Sequence, residues 1–146
     1  HHMTAPLPDG SQAARAMRQA LADAAIAPSE LGYVNAHASS TPLNDPTETL
    51  AIRQILGEHV TSIPVSGTKG YYGHALGASG AIETAICALA LEREWLPPTV
   101  NLSQADAACD LHLVTGDGRD ARVDHIMTNS FGFGGINAAL VLRRWH

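Results

Sequence analysis

With 146 residues and 45% hydrophobic content, the chain is long enough for one domain with a real core. Nine basic against fourteen acidic residues leave a net charge of −5 and no cationic block that could neutralise nucleic-acid phosphates or anionic lipid, so nucleic-acid and membrane-surface partners are disfavoured. Two cysteines without a C-x-x-C, no apolar run long enough to span a bilayer and no signal peptide fit a reducing cytoplasm.

The chain opens on His1-His2-Met3, which is either a tag scar or natural sequence, and a proline- and glycine-rich lead-in. Ala14, Met17, Leu21 and Ala24 then recur at helical spacing, predicting an amphipathic helix closed before Pro28. Residues 31–36 read as a short buried strand that delivers His37 to its C-terminal end. A second helix is signalled by Asp45 as N-cap, Pro46 in the first helical position and Glu48 in the third, a capping box, and Gly57 ends it.

Residues 63–66 are the next strand, followed by a loop with Lys69, the chain's only lysine, and His74. The small residues Gly77, Ala78, Gly80 and Ala81 predict close backbone packing, and Ile82, Ala85, Ile86, Leu89 and Leu91 predict a helix buried on most faces, ending near Trp95. An extended segment and an acidic loop around Asp106 and Asp110 lead to strand candidates at 111–115, 123–130 and 136–143, the last two joined by F-G-F-G-G. Alternating helices and strands with a terminal strand pair predict an α/β layered domain with a mixed sheet of about four to five strands covered by helices, where sites gather at strand C-termini.

Three loops follow strands in this scheme: His37, Lys69 with His74, and residues 131–135. Two imidazoles and an ammonium could converge on one substrate carbonyl, the imidazoles stabilising charge that develops on oxygen and the ammonium fixing a histidine's protonation or orientation. His1, His2, His59, His112, His125 and His146 read as surface or structural histidines, and Glu83 as a charged residue at a helix edge. No H-x-x-x-H or H-E-x-x-H supports zinc, G-F-G-G-I-N lacks the third glycine of a dinucleotide loop, and T-K-G is not a P-loop. Neither cysteine suits a nucleophile, because Cys87 lies in the apolar helix and Cys109 in an acidic loop that raises a thiol's pKa.

The motifs N-A-H-A-S-S-T-P-L-N-D-P-T-E (35–48), G-T-K-G-Y-Y-G-H-A-L-G-A-S-G-A-I-E (67–83), P-P-T-V-N-L (97–102) and N-S-F-G-F-G-G-I-N (129–137) together resemble the elongating β-ketoacyl-acyl-carrier-protein synthases. The resemblance implies the C-terminal half of a thiolase-like fold, with the nucleophilic cysteine in an absent N-terminal half and the opening residues natural sequence. It implies that His37 and His74 hold the thioester oxygen of malonyl-carrier protein, that Lys69 tunes His74, and that the Phe133 N–H forms part of an oxyanion hole. Phe131, Gly132, Phe133 and Gly134 would form a mobile gate over the acyl chain. Glu48, Glu83 and Asn129 would support the site, in some members around a monovalent cation, with no other cofactor or metal.

An acyl carrier protein bearing acyl and malonyl thioesters, and a homodimeric or heterodimeric assembly, are the implied partners. Ala38 and Ser39 stand where the family usually has glycine and threonine, Ile136 replaces a threonine, and Tyr71-Tyr72 point to a polyketide or polyene subgroup. The 146 residues alone are expected not to condense, and to associate through the apolar surface left open. The contrasting reading is a non-catalytic subunit like a chain-length factor, whose members usually lose both histidines.

Overall fold

The computed structural model describes residues 2–145; His1 and His146, read above as surface or structural, lie outside the described residues. A four-stranded mixed sheet runs in the order β2 (Val65–Ser66), β1 (Tyr33–Asn35), β5 (His125–Phe131), β6 (Asn137–Arg143). β1 is parallel to both β2 and β5, and β6 returns antiparallel to β5 with Phe131 opposite Asn137 and His125 opposite Arg143. The three parallel strands therefore end at the same edge, where the loops carrying His37 and Lys69 begin and β5 closes on Phe131.

Strand alternation sorts the core into two layers. Val34 of β1, Met127 of β5 and Val141 of β6 face α1 (Ser11–Ala24) and α2 (Asn44–Leu56), packing on Met17, Leu21, Ile52 and Leu56. Tyr33, Ile126 and Leu142 face the other way, onto Cys87, Ala90 and Leu91 of α3 (Ser79–Arg93). In α1, Ala14, Met17 and Leu21 follow the predicted helical spacing and Ala13 joins them, whereas Ala24, expected on the same stripe, is exposed at the last turn.

Four expectations are corrected. α3 is not buried on most faces: Ser79, Glu83, Cys87, Ala90 and Leu91 form one covered stripe while Leu89 is 52% exposed, because the sheet lies on one side only. Of the two glycines expected to pack closely, Gly80 in α3 sits near a neighbour, with a Cβ there meeting Ser130 Oγ at 3.2 Å, whereas Gly77, in the turn ahead of α3, faces open space. Residues 111–115 form no strand but a single parallel bridge from Leu113 to Val65. Instead, β3 (Trp95–Leu96) pairs antiparallel with β4 (Arg119–Asp120), two-residue strands too short to leave a periodic signal.

The fourth concerns α2. It starts at Asn44 with Leu43 in the capping position and no side-chain cap. Glu48 is 3% exposed and turned toward the sheet, so its carboxylate cannot fold back over the helix start.

Candidate functional site

His37 sits two residues past the buried end of β1 and is held by its peptide group from two sides. Its N–H and that of Ala38 each donate to one oxygen of Glu48, both at 2.8 Å. Its carbonyl accepts from the Lys69 ammonium, which also pairs with Glu83 Oε1. Glu48 comes from α2 and Glu83 from α3, on opposite faces of the sheet.

The His37 ring lies 5.4 Å from that of His74, centroid to centroid, with the planes 77° apart, and 5.9 Å from Phe131. Burial pulls the His37 pKa from its ordinary 6.5 to about 4, helped by the charge of Lys69 and by His74. His37 is therefore a neutral imidazole at physiological pH. Its Nδ1 is buried without a hydrogen-bond partner among the described residues.

His74 lies in the exposed loop ahead of α3, and its Nδ1 accepts the Leu76 N–H at 3.1 Å with Ser79 Oγ at 3.3 Å. A backbone N–H can only donate, so the neutral ring carries its proton on Nε2 and presents a donor from that side. Lys69, expected to tune His74, directs its ammonium to His37 and Glu83.

Both carboxylates are fully enclosed. Burial pushes Glu48 up, against the pull of the Ala38 and His37 amides and the Asn129 side chain. Burial also pushes Glu83 up, with Lys69 and Tyr72 pulling it back. Asn129 donates to Glu48 Oε1 at 3.3 Å, joining β5 to α2 behind His37.

Ala38 occupies the left-handed region at φ 41°, where glycine is the unstrained residue. Its methyl fills the space in front of Gly67, where a second Cβ would lie 2.4 Å away. At the third loop, the Gly132 N–H donates to the Ile136 carbonyl and the Gly134 N–H to that of Met3, with Gly134 and Gly135 at φ 74° and 78°. Phe131 is half-buried beside His37, whereas Phe133 is 74% exposed.

Sequence reasoning assigned no chemistry to the polar residues behind these loops. Tyr33, Asn35, Ser66, Thr68 and Thr128 are all buried, with the Tyr33 hydroxyl 2.6 Å from Ser66 Oγ and Thr128 Oγ1 donating to Asn35 Oδ1 at 3.2 Å. Polar residues at the ends of three strands that otherwise read as apolar were the available signal. Cys87 is buried and its thiol is pushed up to about 12 by desolvation; burial and nearby carboxylates also raise Cys109, so neither provides a thiolate.

Residues 1–103 match the family described as Beta-ketoacyl synthase, C-terminal domain. The chain is 48% identical over 145 residues to 3-oxoacyl-[acyl-carrier-protein] synthase 2 of Synechocystis sp., covering 99% of this chain and 35% of that protein. It therefore spans about a third of the length of the curated relatives it matches. A type II polyketide ketosynthase, solved with its acyl-carrier protein and bound to the hexaketide, superposes with a TM-score of 0.96 at 38% identity, covering 100% of this chain and 36% of that one. A ketosynthase in complex with its chain length factor, from Xenorhabdus doucetiae, gives 0.87 at 40% identity, covering 99% and 36%. The thiolase-like half-fold expected from the motifs is the fold found.

Proposed function

Because the chain belongs to the β-ketoacyl synthase family, we propose that it supplies the two-histidine part of a decarboxylating condensation site. The reaction is the Claisen condensation of an acyl-enzyme thioester with malonyl-acyl-carrier protein in fatty acid or polyketide chain elongation. The paired imidazoles of His37 and His74, 5.4 Å apart at the shared strand edge, carry this reading.

The thioester oxygen of the malonyl group sits between the two rings. As the carboxylate leaves as CO₂, the electron pair of the broken C–C bond forms an enolate whose charge falls on that oxygen. His74 donates from Nε2, and His37, neutral and enclosed, donates without a charge to neutralise. Each such donor is worth ~10²–10³ in rate. The enolate carbon then attacks the acyl thioester carbonyl, forming the new C–C bond and releasing the thiolate that held the acyl group.

Neither cysteine of this chain fits that thiolate, so the proposal assigns it to protein outside these 146 residues. Alone, the 146 residues would then not condense. The acyl carrier protein is the proposed substrate carrier, and a second ketosynthase-type subunit the proposed partner, consistent with the complexes formed by the solved relatives. Phe131 to Gly134 are proposed as the gate, their positive-φ glycine giving the backbone freedom to swing.

A monovalent cation held by Glu48, Glu83 and Asn129 would find Glu83 Oε2 and Asn129 Oδ1 as its open acceptors, buried atoms that no hydrogen bond among the described residues engages. Both Glu48 oxygens accept backbone N–H groups, and Glu83 Oε1 already meets an ammonium. The non-catalytic reading is less well supported, since both histidines are retained and face one another. Among the described residues no helix is long and apolar enough to cross a membrane, and unpaired cysteines fit the cytoplasm as the proposed location.

The test is CO₂ release from malonyl-acyl-carrier protein by the complete polypeptide as its source cells make it. His37→Ala and His74→Ala should each slow release by ~10²-fold or more. Rates equal to the unsubstituted protein would refute the reading.

A further inference from the structure

The sequence marks Tyr71-Tyr72 as a departure toward a specialised subgroup and gives Tyr72 no chemical task. In the fold its hydroxyl lies 3.4 Å from Glu83 Oε1 and 3.2 Å from Thr68 Oγ1, on the ion pair that holds the His37 carbonyl.

Counting protons fixes the direction of each bond. Ser66 Oγ donates to the Pro97 carbonyl at 2.6 Å, so the Tyr33 hydroxyl must donate to Ser66. The Asn35 amide has two protons, one directed to Tyr33 Oη at 3.4 Å and the other to Thr68 Oγ1 at 3.5 Å. Tyr72 gives its single proton to the Glu83 carboxylate, which can only accept, so Thr68 is the donor in its contact with Tyr72. The row beginning at Thr128 and Asn35 thus ends by donating into a carboxylate that is 0% exposed. A buried carboxylate stays ionised only if donors replace the water it has lost. Lys69 is one donor on Oε1 and Tyr72 the other, while Oε2 has no hydrogen-bond partner among the described residues.

We propose that Tyr72 is a positioning residue: its hydroxyl holds Glu83 on Lys69, and through the Lys69 bond to the His37 carbonyl it sets the place of the His37 ring. This role rests on the condensation reading above. The 3.4 Å separation is long for a hydrogen bond, which limits the effect to a few-fold.

The experiment is Tyr72→Phe in the complete polypeptide, with CO₂ release from malonyl-acyl-carrier protein followed against pH. The expected result is a kcat lower by ~3- to 10-fold, the size of one net hydrogen bond, with KM unchanged and the acid limb displaced to higher pH because Glu83 is harder to ionise. Thr68→Val should displace the limb the same way by less, and Thr68→Ser should restore it. A superimposable pH profile, or a lower kcat without displacement, overturns the proposal.

If the unsubstituted polypeptide releases no CO₂, the condensation reading falls and with it the catalytic part of this role. Titration of the ¹³C-labelled Glu83 carboxyl by NMR then decides the Tyr72 link by itself. A midpoint raised by Tyr72→Phe sustains it, and an unchanged midpoint overturns it.

Discussion

Acidification should destabilise the fold through His37. In the unfolded chain this imidazole takes up a proton near 6.5, but in the folded chain not until about 4. Between those values the unfolded state binds the extra proton, so the stabilisation present above pH 6.5 is lost as pH falls through the window and levels off below it. The gap of about 2.5 pH units, at ~1.4 kcal/mol each, amounts to roughly 3 kcal/mol. Glu48 and Glu83 act in the opposite sense, since burial raises both above 4.5 and their folded forms bind protons first, favouring folding as pH falls through their raised values. The measurement must therefore be a difference. Urea unfolding of the unsubstituted chain and of His37→Gln, each followed from pH 7 to 4, should show the unsubstituted chain losing ~3 kcal/mol more than the variant. Equal losses would refute the assignment of a buried neutral imidazole.

Gly67→Ala would place a Cβ 2.4 Å from that of Ala38 and should cost ~1–3 kcal/mol, with much of the loss recovered by adding Ala38→Gly; thermal unfolding of the four chains in the cycle reads this, and simple additivity would contradict it. A soluble thiol reagent at neutral pH should label Cys109 well before Cys87, whose thiol is buried and pushed up to about 12; equal labelling rates in the folded chain would be the contrary result. Leu76, Leu89, Phe133 and Ile136 are each more than half exposed, so the isolated 146 residues should associate in light scattering, and a monodisperse monomer would count against an open interface.

The strand-end loops were legible because each pairs a short apolar run with a polar, glycine- or serine-rich continuation, and parallel strands bring such ends to one edge. The local pattern around Glu48, a carboxylate three residues after Asp45, is that of a capping box, and only the family motifs pointed to a place for it at the site. The competing partners, the amides of His37 and Ala38, lie ten or more residues upstream and cannot be seen locally. The exposure of α3 was hidden for a related reason: alanines and isoleucines on both faces give no polar side, so composition did not show which face the sheet covers. Tyr72 lies in an irregular loop, where no periodicity states which way a side chain points, and only the fold brings its hydroxyl to Glu83.

The double hold on the His37 peptide has a mechanical consequence. One end is fastened to the α2 layer through Glu48 and the other, through Lys69 and Glu83, to the α3 layer, so this single residue is a strut between the two helical coats of the sheet. Its ring position is a gauge of their spacing. A core change remote from the site, at Met127 on one side or Ile126 on the other, would thicken or thin a layer and reach the histidine as displacement. Substitutions that leave every polar contact of the site in place can thus detune it.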